Sequence, residues 1–299
     1  MNPVILDTDI GTDIDDTWAL GFLLACPELD VKLITTTSDD TEYRAKIVAK
    51  FLEAMDRTDI PVAMGTRESE NWGPQAAWVQ DYDLKKYAGK VTPNAPKEII
   101  DVIMNSRRQI TIISIGPLST VANALELAPN IVKNARFIGM HGSVYKGYNG
   151  SSIPSPEYNV VRDIDSCKRV FDAPWDVLVT PLDTCGLIKL KGQNYKDLDK
   201  RENLITKLIM ENYEIWHWST NASKNFDIHY ESSILFDTIS ICTAFTEKYV
   251  QIEEIGIIVD ENGFTKPSTE GKVIRCATSW RDLSGFKSFL VKRLMDKCW

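Results

Sequence analysis

The sequence predicts an α/β fold with an open, mostly parallel sheet flanked by helices. Short β-branched runs alternate with longer amphipathic stretches over the first two thirds of the chain, which is typical of successive βαβ units. The chain has 299 residues, enough for one large α/β domain, and no linker, repeat or low-complexity tract divides it. We therefore expect a single domain over residues 1–299.

The predicted elements follow one another with short connections. Strands are expected at Val4–Leu6, Val31–Thr37, Ile60–Met64, Ile110–Ile115, Arg136–Met140 and Asp176–Thr180. Helices are expected at Asp15–Ala25, Glu42–Met55, Leu118–Leu127 and Ile164–Phe171, and residues 203–245 also read as helical and aromatic. Ligands of open α/β sheets bind outside the carboxyl ends of the strands. Two long irregular stretches, 67–96 and 141–156, are typical of functional loops.

Composition excludes several classes of protein. The chain has 34 Lys and Arg against 42 Asp and Glu, a net charge of −8, which argues against a nucleic-acid partner. No apolar run approaches the roughly 20 residues of a membrane span, and the amino terminus turns acidic at Asp7 where a signal peptide would stay apolar. We expect a cytoplasmic protein with no membrane partner. Only three histidines and six scattered cysteines occur, so a zinc site lacks ligands.

Five carboxylates lie within ten residues, Asp7–Asp16, directly after the first predicted strand. Helix capping would explain the last three of them, but not Asp7 and Asp9, which share one face of the strand end. Crowded carboxylates raise one another's pKa or recruit a cation, and oxygen donors favour Ca²⁺ or Mg²⁺. An EF-hand is excluded because Trp18 stands at the twelfth position, where Glu is required. The run predicts a metal site.

This aspartate run resembles the amino-terminal signature of the inosine-uridine preferring nucleoside hydrolases, in the form D-T-D-I-G-x-D-I-D-D. Further landmarks of that family follow in order, and the resemblance covers about residues 4–245: Ile34–Asp40, Gly116–Ala122, Pro156–Asn159 with Asp163 beyond it, and Leu235–Asp237. The resemblance implies the nucleoside hydrolase type of α/β fold, with a Rossmann-like core. It also implies a homodimer or homotetramer.

The resemblance implies an activity as well, hydrolysis of the N-glycosidic bond of ribonucleosides with a tightly held Ca²⁺. By position, Asp9, Asp16 and Asp237 would supply metal-binding carboxylates, and Ser119 a backbone carbonyl. Asp9 would also act as the base that takes a proton from the attacking water. An anionic pocket suits this reaction because bond cleavage builds positive charge on the sugar.

Three residues match family positions that hydrogen-bond ribose hydroxyls, namely Asp15, Glu157 and Asn159. Buried groups of this kind reject a sugar that lacks a hydroxyl, so a preference for ribose over deoxyribose follows. Taken alone, the Glu157–Asn159 segment would also fit a turn that enters a helix. Asp40 stands where well-known members carry Asn, and we expect it to contact ribose or to support such a contact.

Phe236 precedes the last metal-binding aspartate, where the best-known branch has a histidine thought to protonate the departing base. A phenyl ring cannot donate a proton, so this chain resembles a branch that lacks the histidine. Three substitutes are conceivable: a histidine, His217 or His229; a tryptophan stacked on a purine, Trp216 or Trp218; or a different leaving group. We expect Trp216 and His229 at the substrate, although aromatic residues at such spacing also fit a core.

Two other functions compete with this interpretation. The Asp7–Thr12 run superficially resembles the D-x-D-G-T motif of Mg²⁺-dependent phosphohydrolases of the haloacid dehalogenase type, but Ile10 interrupts it and no later Lys and acidic pair fits. The second alternative is a catalytically silent, metal-stabilised nucleoside-binding protein, which Phe236 makes plausible. The presence of Asp9, the proposed base, argues against it.

Overall fold

The computed structural model describes residues 1–220 and 227–296. The strands of this part of the chain are β1 Asn2–Thr8, β2 Leu29–Thr36, β3 Val62–Met64, β4 Val91–Thr92, β5 Ile110–Ser114, β6 Ala135–Gly139, β7 Val177–Val179, β8 Lys189–Lys191, β9 Glu231–Ile234, β10 Val250–Val259, β11 Thr265–Pro267 and β12 Lys272–Trp280. Its α-helices are α1 Asp15–Leu24, α2 Thr41–Ala54, α3 Ala76–Val79, α4 Ala95–Asn105, α5 Ser119–Leu127, α6 Tyr158–Arg162, α7 Ile164–Asp172, α8 Leu182–Cys185, α9 Gln193–Asp199, α10 Leu204–Ser219, α11 Thr238–Thr243 and α12 Leu283–Met295.

Ten of these strands form one sheet in the order β11-β10-β12-β7-β6-β5-β1-β2-β3-β4. Strands β1 to β7 pair in parallel, β12 joins β7 in parallel, and β10 pairs antiparallel with both β11 and β12. Strands β8 and β9 form a separate antiparallel pair. The predicted open, mostly parallel sheet flanked by helices is confirmed.

The order of the strands creates a crevice beside β1. The chain proceeds from β1 to β2, β3 and β4 on one side, and then returns to place β5 on the other side of β1. At such a switch point the connections diverge, which leaves a ligand-sized opening at the carboxyl ends of the strands. Residues 9–14 after β1 and residues 115–118 after β5 surround this opening.

The central elements are buried on all sides. Val4, Ile5 and Leu6 of β1 have no exposed surface, as expected for a strand covered on both faces, so its sequence is a continuous apolar run without alternation. Every residue of α1 is buried as well, and Trp18 of this helix packs edge-on against Tyr213 of α10 at 5.7 Å between ring centroids. The aspartate run is therefore held between a rigid strand and a rigid helix.

The predicted strands and helices of the first two thirds are confirmed to within a few residues. Beyond residue 180 the sequence pattern predicts no strand. The structure has a short strand β9 in the stretch predicted as helical, and a carboxyl-terminal antiparallel unit, β10 to β12. Strand β10 mixes charged and apolar residues with no regular alternation of burial, so its periodicity is weak. Among the residues described, no helix has the length and apolar character that a membrane crossing requires.

Candidate active site

A cavity of about 390 Å³ opens at the carboxyl ends of β1, β5 and β6. It has an acidic floor and a largely apolar wall. Its lining consists of Asp9, Thr12, Asp13, Asp15, Asp16, Ile115, Met140, Tyr148, Glu157, Tyr158, Asn159, Trp216, Thr220, Phe236 and Asp237. Six of these residues carry carboxylates, and none of the described lining residues is Lys, Arg or His.

The aspartate run divides into one structural residue and four that line the cavity. Asp7 is fully buried, and its carboxylate accepts hydrogen bonds from Thr35 Oγ1 at 2.6 Å and Ser114 Oγ at 3.1 Å. It therefore joins β1 to both neighbouring strands, and burial raises its pKa to about 7. Gly11, with φ of +109°, permits the turn that follows β1, and this turn carries the later aspartates to the cavity.

Three carboxylates form a compact cluster suited to a metal ion. One oxygen from each of Asp15, Asp16 and Asp237 lies within 4.8 Å of the others, and all three side chains are buried. Thr8 Oγ1 donates a hydrogen bond to Asp16. Burial, with repulsion from neighbouring aspartates, raises the pKa of each of the three well above its usual value. A divalent cation would relieve this repulsion, and an all-oxygen donor set fits a hard ion such as Ca²⁺ or Mg²⁺.

Asp9 lies beside this cluster at the end of β1. A Cβ atom on Gly116 would come within 2.9 Å of Asp9 Oδ1 and 2.8 Å of its backbone nitrogen, so only glycine allows this approach. Burial raises the pKa of Asp9 to about 6, although the charge of Arg44 partly offsets the effect. A carboxylate with a pKa near 6 ionises near neutral pH and is suited to accept a proton there.

Glu157 and Asn159 form another side of the cavity. The Glu157 carboxylate accepts hydrogen bonds from the backbone nitrogens of Asn159, Val160 and Gly142 at 2.8, 3.2 and 3.1 Å. Burial nevertheless raises its pKa to about 7. The Asn159 amide donates to the carbonyls of Ile115 and Met140, both at 3.1 Å. The segment is thus the entry to helix α6, as its sequence also predicts, and it lines the cavity as well.

Aromatic side chains form much of the remaining wall. Trp216 stacks on Tyr213 at 5.7 Å, and its Nε1 donates to the carbonyl of Thr12 at 3.3 Å. The Tyr148 ring meets the Phe236 ring edge-on at 6.2 Å. Trp216, which we expect at the substrate, is thus a lining residue whose indole is held by the turn after β1.

The structure does not bring Asp40 or Ser119 to this cavity. Asp40 caps α2 by accepting from the backbone nitrogens of Glu42 and Tyr43, and it pairs with Arg67 at 2.8 Å. Ser119 begins α5, with its hydroxyl 3.1 Å from that of Thr37. The turn at the end of β5 directs Ile115 to the cavity and Ser119 away from it.

His229 also lies away from the cavity, because β9 and its preceding turn place it on the surface. Its ring is 3.7 Å from Asp199, and its side chain is 59% exposed. His217 and Trp218 do not line the cavity either, within the part of the chain that the structure describes. Of the four histidines and tryptophans considered as substitutes for the missing histidine, Trp216 alone is among the described residues that line the cavity.

Several lining residues were not singled out from the sequence, chiefly Ile115, Met140, Tyr148 and Tyr158. The signal for Tyr148 was its place in the irregular stretch 141–156, which is typical of a functional loop. Nothing local distinguished Ile115 or Met140 from other apolar residues at strand ends. Their exposure to the cavity depends on the order of the strands.

Comparisons with known proteins agree with this arrangement. The family model described as inosine-uridine preferring nucleoside hydrolase matches residues 4–288. A probable uridine nucleosidase 2 from Arabidopsis thaliana is 25% identical over 318 residues, covering 98% of this chain and 96% of that protein. The non-specific ribonucleoside hydrolase RihC from Klebsiella pneumoniae is 29% identical over 193 residues, covering 60% of this chain and 61% of that protein.

Solved structures share the fold. A plant nucleoside hydrolase superposes with a TM-score of 0.82 at 22% identity, covering 98% of both chains. The inosine-uridine preferring nucleoside hydrolase of Bacillus anthracis superposes with a TM-score of 0.78 at 19% identity, covering 98% of this chain and all of the other, 100%. The match of the family model to nearly the whole chain confirms the resemblance seen in the sequence: the chain belongs to the inosine-uridine preferring nucleoside hydrolase family and is a nucleoside hydrolase.

Proposed function

We propose that this protein hydrolyses the N-glycosidic bond of ribonucleosides to ribose and free base, with Ca²⁺ as its metal and Asp9 as the base. The observation that carries the proposal is the cluster of Asp15, Asp16 and Asp237 next to Asp9 in a cavity of about 390 Å³. Two relatives, a probable uridine nucleosidase and a non-specific ribonucleoside hydrolase, support the same substrate class.

The metal would be held by Asp15, Asp16 and Asp237. Asp9, predicted from the sequence as a ligand, lines the same cavity but lies outside this group of three. Asp15, predicted to contact ribose, would offer one carboxylate oxygen to the metal and the other to the sugar. When bound, the metal supplies Lewis acidity and offsets the negative charge of these carboxylates. A backbone carbonyl is a further candidate donor. Ser119, predicted for that role, begins a helix outside the cavity, whereas Ile115 of the same loop lines it.

Each lining residue has a separate role in the proposed hydrolysis. Asp9 takes a proton from the water that attacks the anomeric carbon, and the electron pair of the C–N bond moves to the base. The remaining carboxylates stabilise the positive charge that develops on the sugar. Asp15, Glu157 and Asn159 hydrogen-bond the ribose hydroxyls, so a deoxyribose would leave buried partners unpaired.

The charge of the cavity favours uncharged nucleosides over nucleotides. Six carboxylates line it, and the described lining residues include no cationic side chain. Six carboxylates carry more negative charge than one divalent ion offsets, and a phosphate group would find no cationic side chain among these lining residues to pair with. The proposal retains the predicted homodimer or homotetramer and the cytoplasmic location.

Ribose release from a panel of purine and pyrimidine ribonucleosides, with and without a strong Ca²⁺ chelator, tests the proposal. We expect turnover that chelation abolishes and Ca²⁺ restores. Asp9→Asn should lower kcat by at least about 100-fold, because general-base catalysis contributes that much, while exposed Asp81→Asn serves as a matched control.

Two results would contradict the proposal. An Asp9→Asn enzyme within about tenfold of the wild type, a barrier change of only about 1.4 kcal/mol, would remove Asp9 from the role of base. Binding of Ca²⁺ and ribose without turnover of any nucleoside would instead indicate the silent binding protein.

A further inference from the structure

We propose that the Tyr148 hydroxyl donates a hydrogen bond to the departing base and so replaces the missing histidine. This inference rests on the proposed function. Phe236 offers no proton, yet a nucleoside base leaves with the electron pair of the C–N bond and needs a hydrogen-bond donor. Such a donor must lie on the cavity wall and must not already be hydrogen-bonded to the protein.

The hydrogen bonds of the described lining residues narrow the choice. The two N–H bonds of the Asn159 amide point to the carbonyls of Ile115 and Met140. The Trp216 indole N–H points to the carbonyl of Thr12, and the Thr220 hydroxyl donates to the carbonyl of Trp216 at 2.9 Å. These donors are committed to the protein, and the lining carboxylates are assigned to the metal, the ribose and the attacking water. The hydroxyls of Thr12, Tyr148 and Tyr158 remain.

Position separates these three hydroxyls. Thr12 lies within the aspartate run, where its Oγ1 accepts from Arg44 at 2.9 Å. Tyr158 is 42% exposed, with its ring 6.0 Å from the guanidinium of Arg162. Tyr148 alone packs against Phe236, edge-on at 6.2 Å. This contact places the Tyr148 ring beside Phe236, which stands where other members have the histidine.

The hydrogen bonding of the Tyr148 hydroxyl also suits it to act as a donor. The backbone nitrogen of Tyr158 donates to Tyr148 Oη at 2.9 Å, and accepting this bond polarises the O–H group. Among the described residues none accepts a hydrogen bond from the Tyr148 hydroxyl, although the ring is partly buried. Burial, with the nearby charge of Glu157, raises the pKa of Tyr148 above its usual value, so the hydroxyl keeps its proton at neutral pH.

The loop that carries Tyr148 is anchored at its first residues. Asp183 accepts hydrogen bonds from the backbone nitrogens of Val144, Tyr145 and Lys146 at 2.8, 2.7 and 3.2 Å. Three bonds to one buried carboxylate make the start of the loop a rigid support. Tyr148 thus stands on an anchored loop.

The step balances without proton transfer from the tyrosine. Water adds its oxygen to the anomeric carbon and gives one proton to Asp9, while the electron pair of the C–N bond moves to the base. Tyr148 keeps its proton and stabilises this growing negative charge through the hydrogen bond. The free base then takes its own proton from solvent.

Tyr148→Phe tests the proposal with two kinds of substrate. Natural ribonucleosides have poor leaving groups, whereas p-nitrophenyl riboside has one that needs little stabilisation. We expect kcat/KM to fall about 10- to 100-fold on natural ribonucleosides and less than about threefold on the activated riboside. Tyr145→Phe, in the same loop but exposed, is the matched control and should change neither value.

Equal losses of kcat/KM on both substrates would overturn the proposal, because they would show that Tyr148 only supports the fold. An unchanged kcat/KM on natural nucleosides would overturn it as well. The thermal unfolding midpoint of Tyr148→Phe shows whether the variant is folded. A wild-type protein that hydrolyses the activated riboside but no natural nucleoside would overturn the proposed function together with this inference, because neither ribonucleoside turnover nor a leaving-group donor would then be at work. Wild-type protein inactive on every substrate would overturn the proposed function itself.

Discussion

The guanidinium of Arg44, on α2, donates a hydrogen bond to the backbone carbonyl of Asp9 at the end of β1. The same group donates to the carbonyl of Ile10 at 3.0 Å and to Thr12 Oγ1 at 2.9 Å, and it pairs with Asp39 at 3.0 Å. Arg44 is only 2% exposed. The turn that carries the proposed base is therefore held from a neighbouring helix by one buried side chain.

Arg44→Met should weaken both the fold and the metal site. The substitution keeps an apolar stem but leaves the carbonyls of Asp9 and Ile10 without their donor, which costs about 1–3 kcal/mol of unfolding free energy. Chemical denaturation measures that loss, and a Ca²⁺ titration followed by unfolding temperature should show weaker stabilisation. Arg162→Met is the control, because its ion pair with Asp39 is partly exposed. Losing that pair should lower the free energy of unfolding by less than about 1 kcal/mol. Unchanged Ca²⁺ stabilisation in Arg44→Met would contradict the positioning role.

Asp183→Ala should loosen the loop that carries Tyr148. Three backbone N–H groups would lose their acceptor. We therefore expect the free energy of unfolding to fall by about 1–3 kcal/mol, and proteolysis between residues 144 and 156 to become faster. Asp183→Asn keeps one accepting oxygen and should lose less. If both variants lost the same stability and neither loop became more accessible to protease, the anchoring role of Asp183 would be wrong.

Without metal, the protein should become less stable as the pH rises from about 5 to 7.5. Burial raises the pKa of Asp9 to about 6 and that of Glu157 to about 7, so the folded state keeps protons that the unfolded chain has already lost. Because the folded state then binds more protons, the unfolding free energy falls with pH across this window. Thermal unfolding in chelator measures it, and Glu157→Gln should reduce the slope.

Added Ca²⁺ should reverse this trend, since the ion binds deprotonated carboxylates. Stabilisation by Ca²⁺ is expected to be larger at pH 7.5 than at pH 5. An unfolding midpoint in chelator that rises between these pH values would show that the buried carboxylates do not govern the pH dependence.

Asp40 should tolerate Asn better than Ala. Asn retains an oxygen for the backbone nitrogens of Glu42 and Tyr43, so only the pair with Arg67 is lost, at a cost of about 1 kcal/mol or less. Asp40→Ala also removes the helix cap, which adds about 1 kcal/mol. We expect KM for ribonucleosides to stay near the wild-type value in Asp40→Asn. A rise of about tenfold, equal to about 1.4 kcal/mol, would instead place Asp40 at the substrate.

The carboxyl-terminal sheet shows where sequence patterns stop being informative. The strands around β1 are covered on both faces, so continuous β-branched runs identify them. Strand β10 has partly exposed positions mixed with buried ones, and its pairing with β12 depends on contacts that no local pattern encodes. Residues 203–245 similarly combine α10 with a short strand and α11, because burial against other elements there outweighs local propensity.

The sequence by itself determined the parallel core, the family and the aspartate run, since these depend on local periodicity and on residues adjacent in the chain. It could also indicate Asp237, Glu157 and Asn159, through ordered landmarks. Only the tertiary structure decided which groups share the cavity: it brings Asp15, Asp16 and Asp237 together and adds Tyr148. It also leaves Asp40 as a helix cap and His229 on the surface. The physical reason is that strand order and helix packing fix the direction of each side chain, and these follow from contacts between segments distant in sequence.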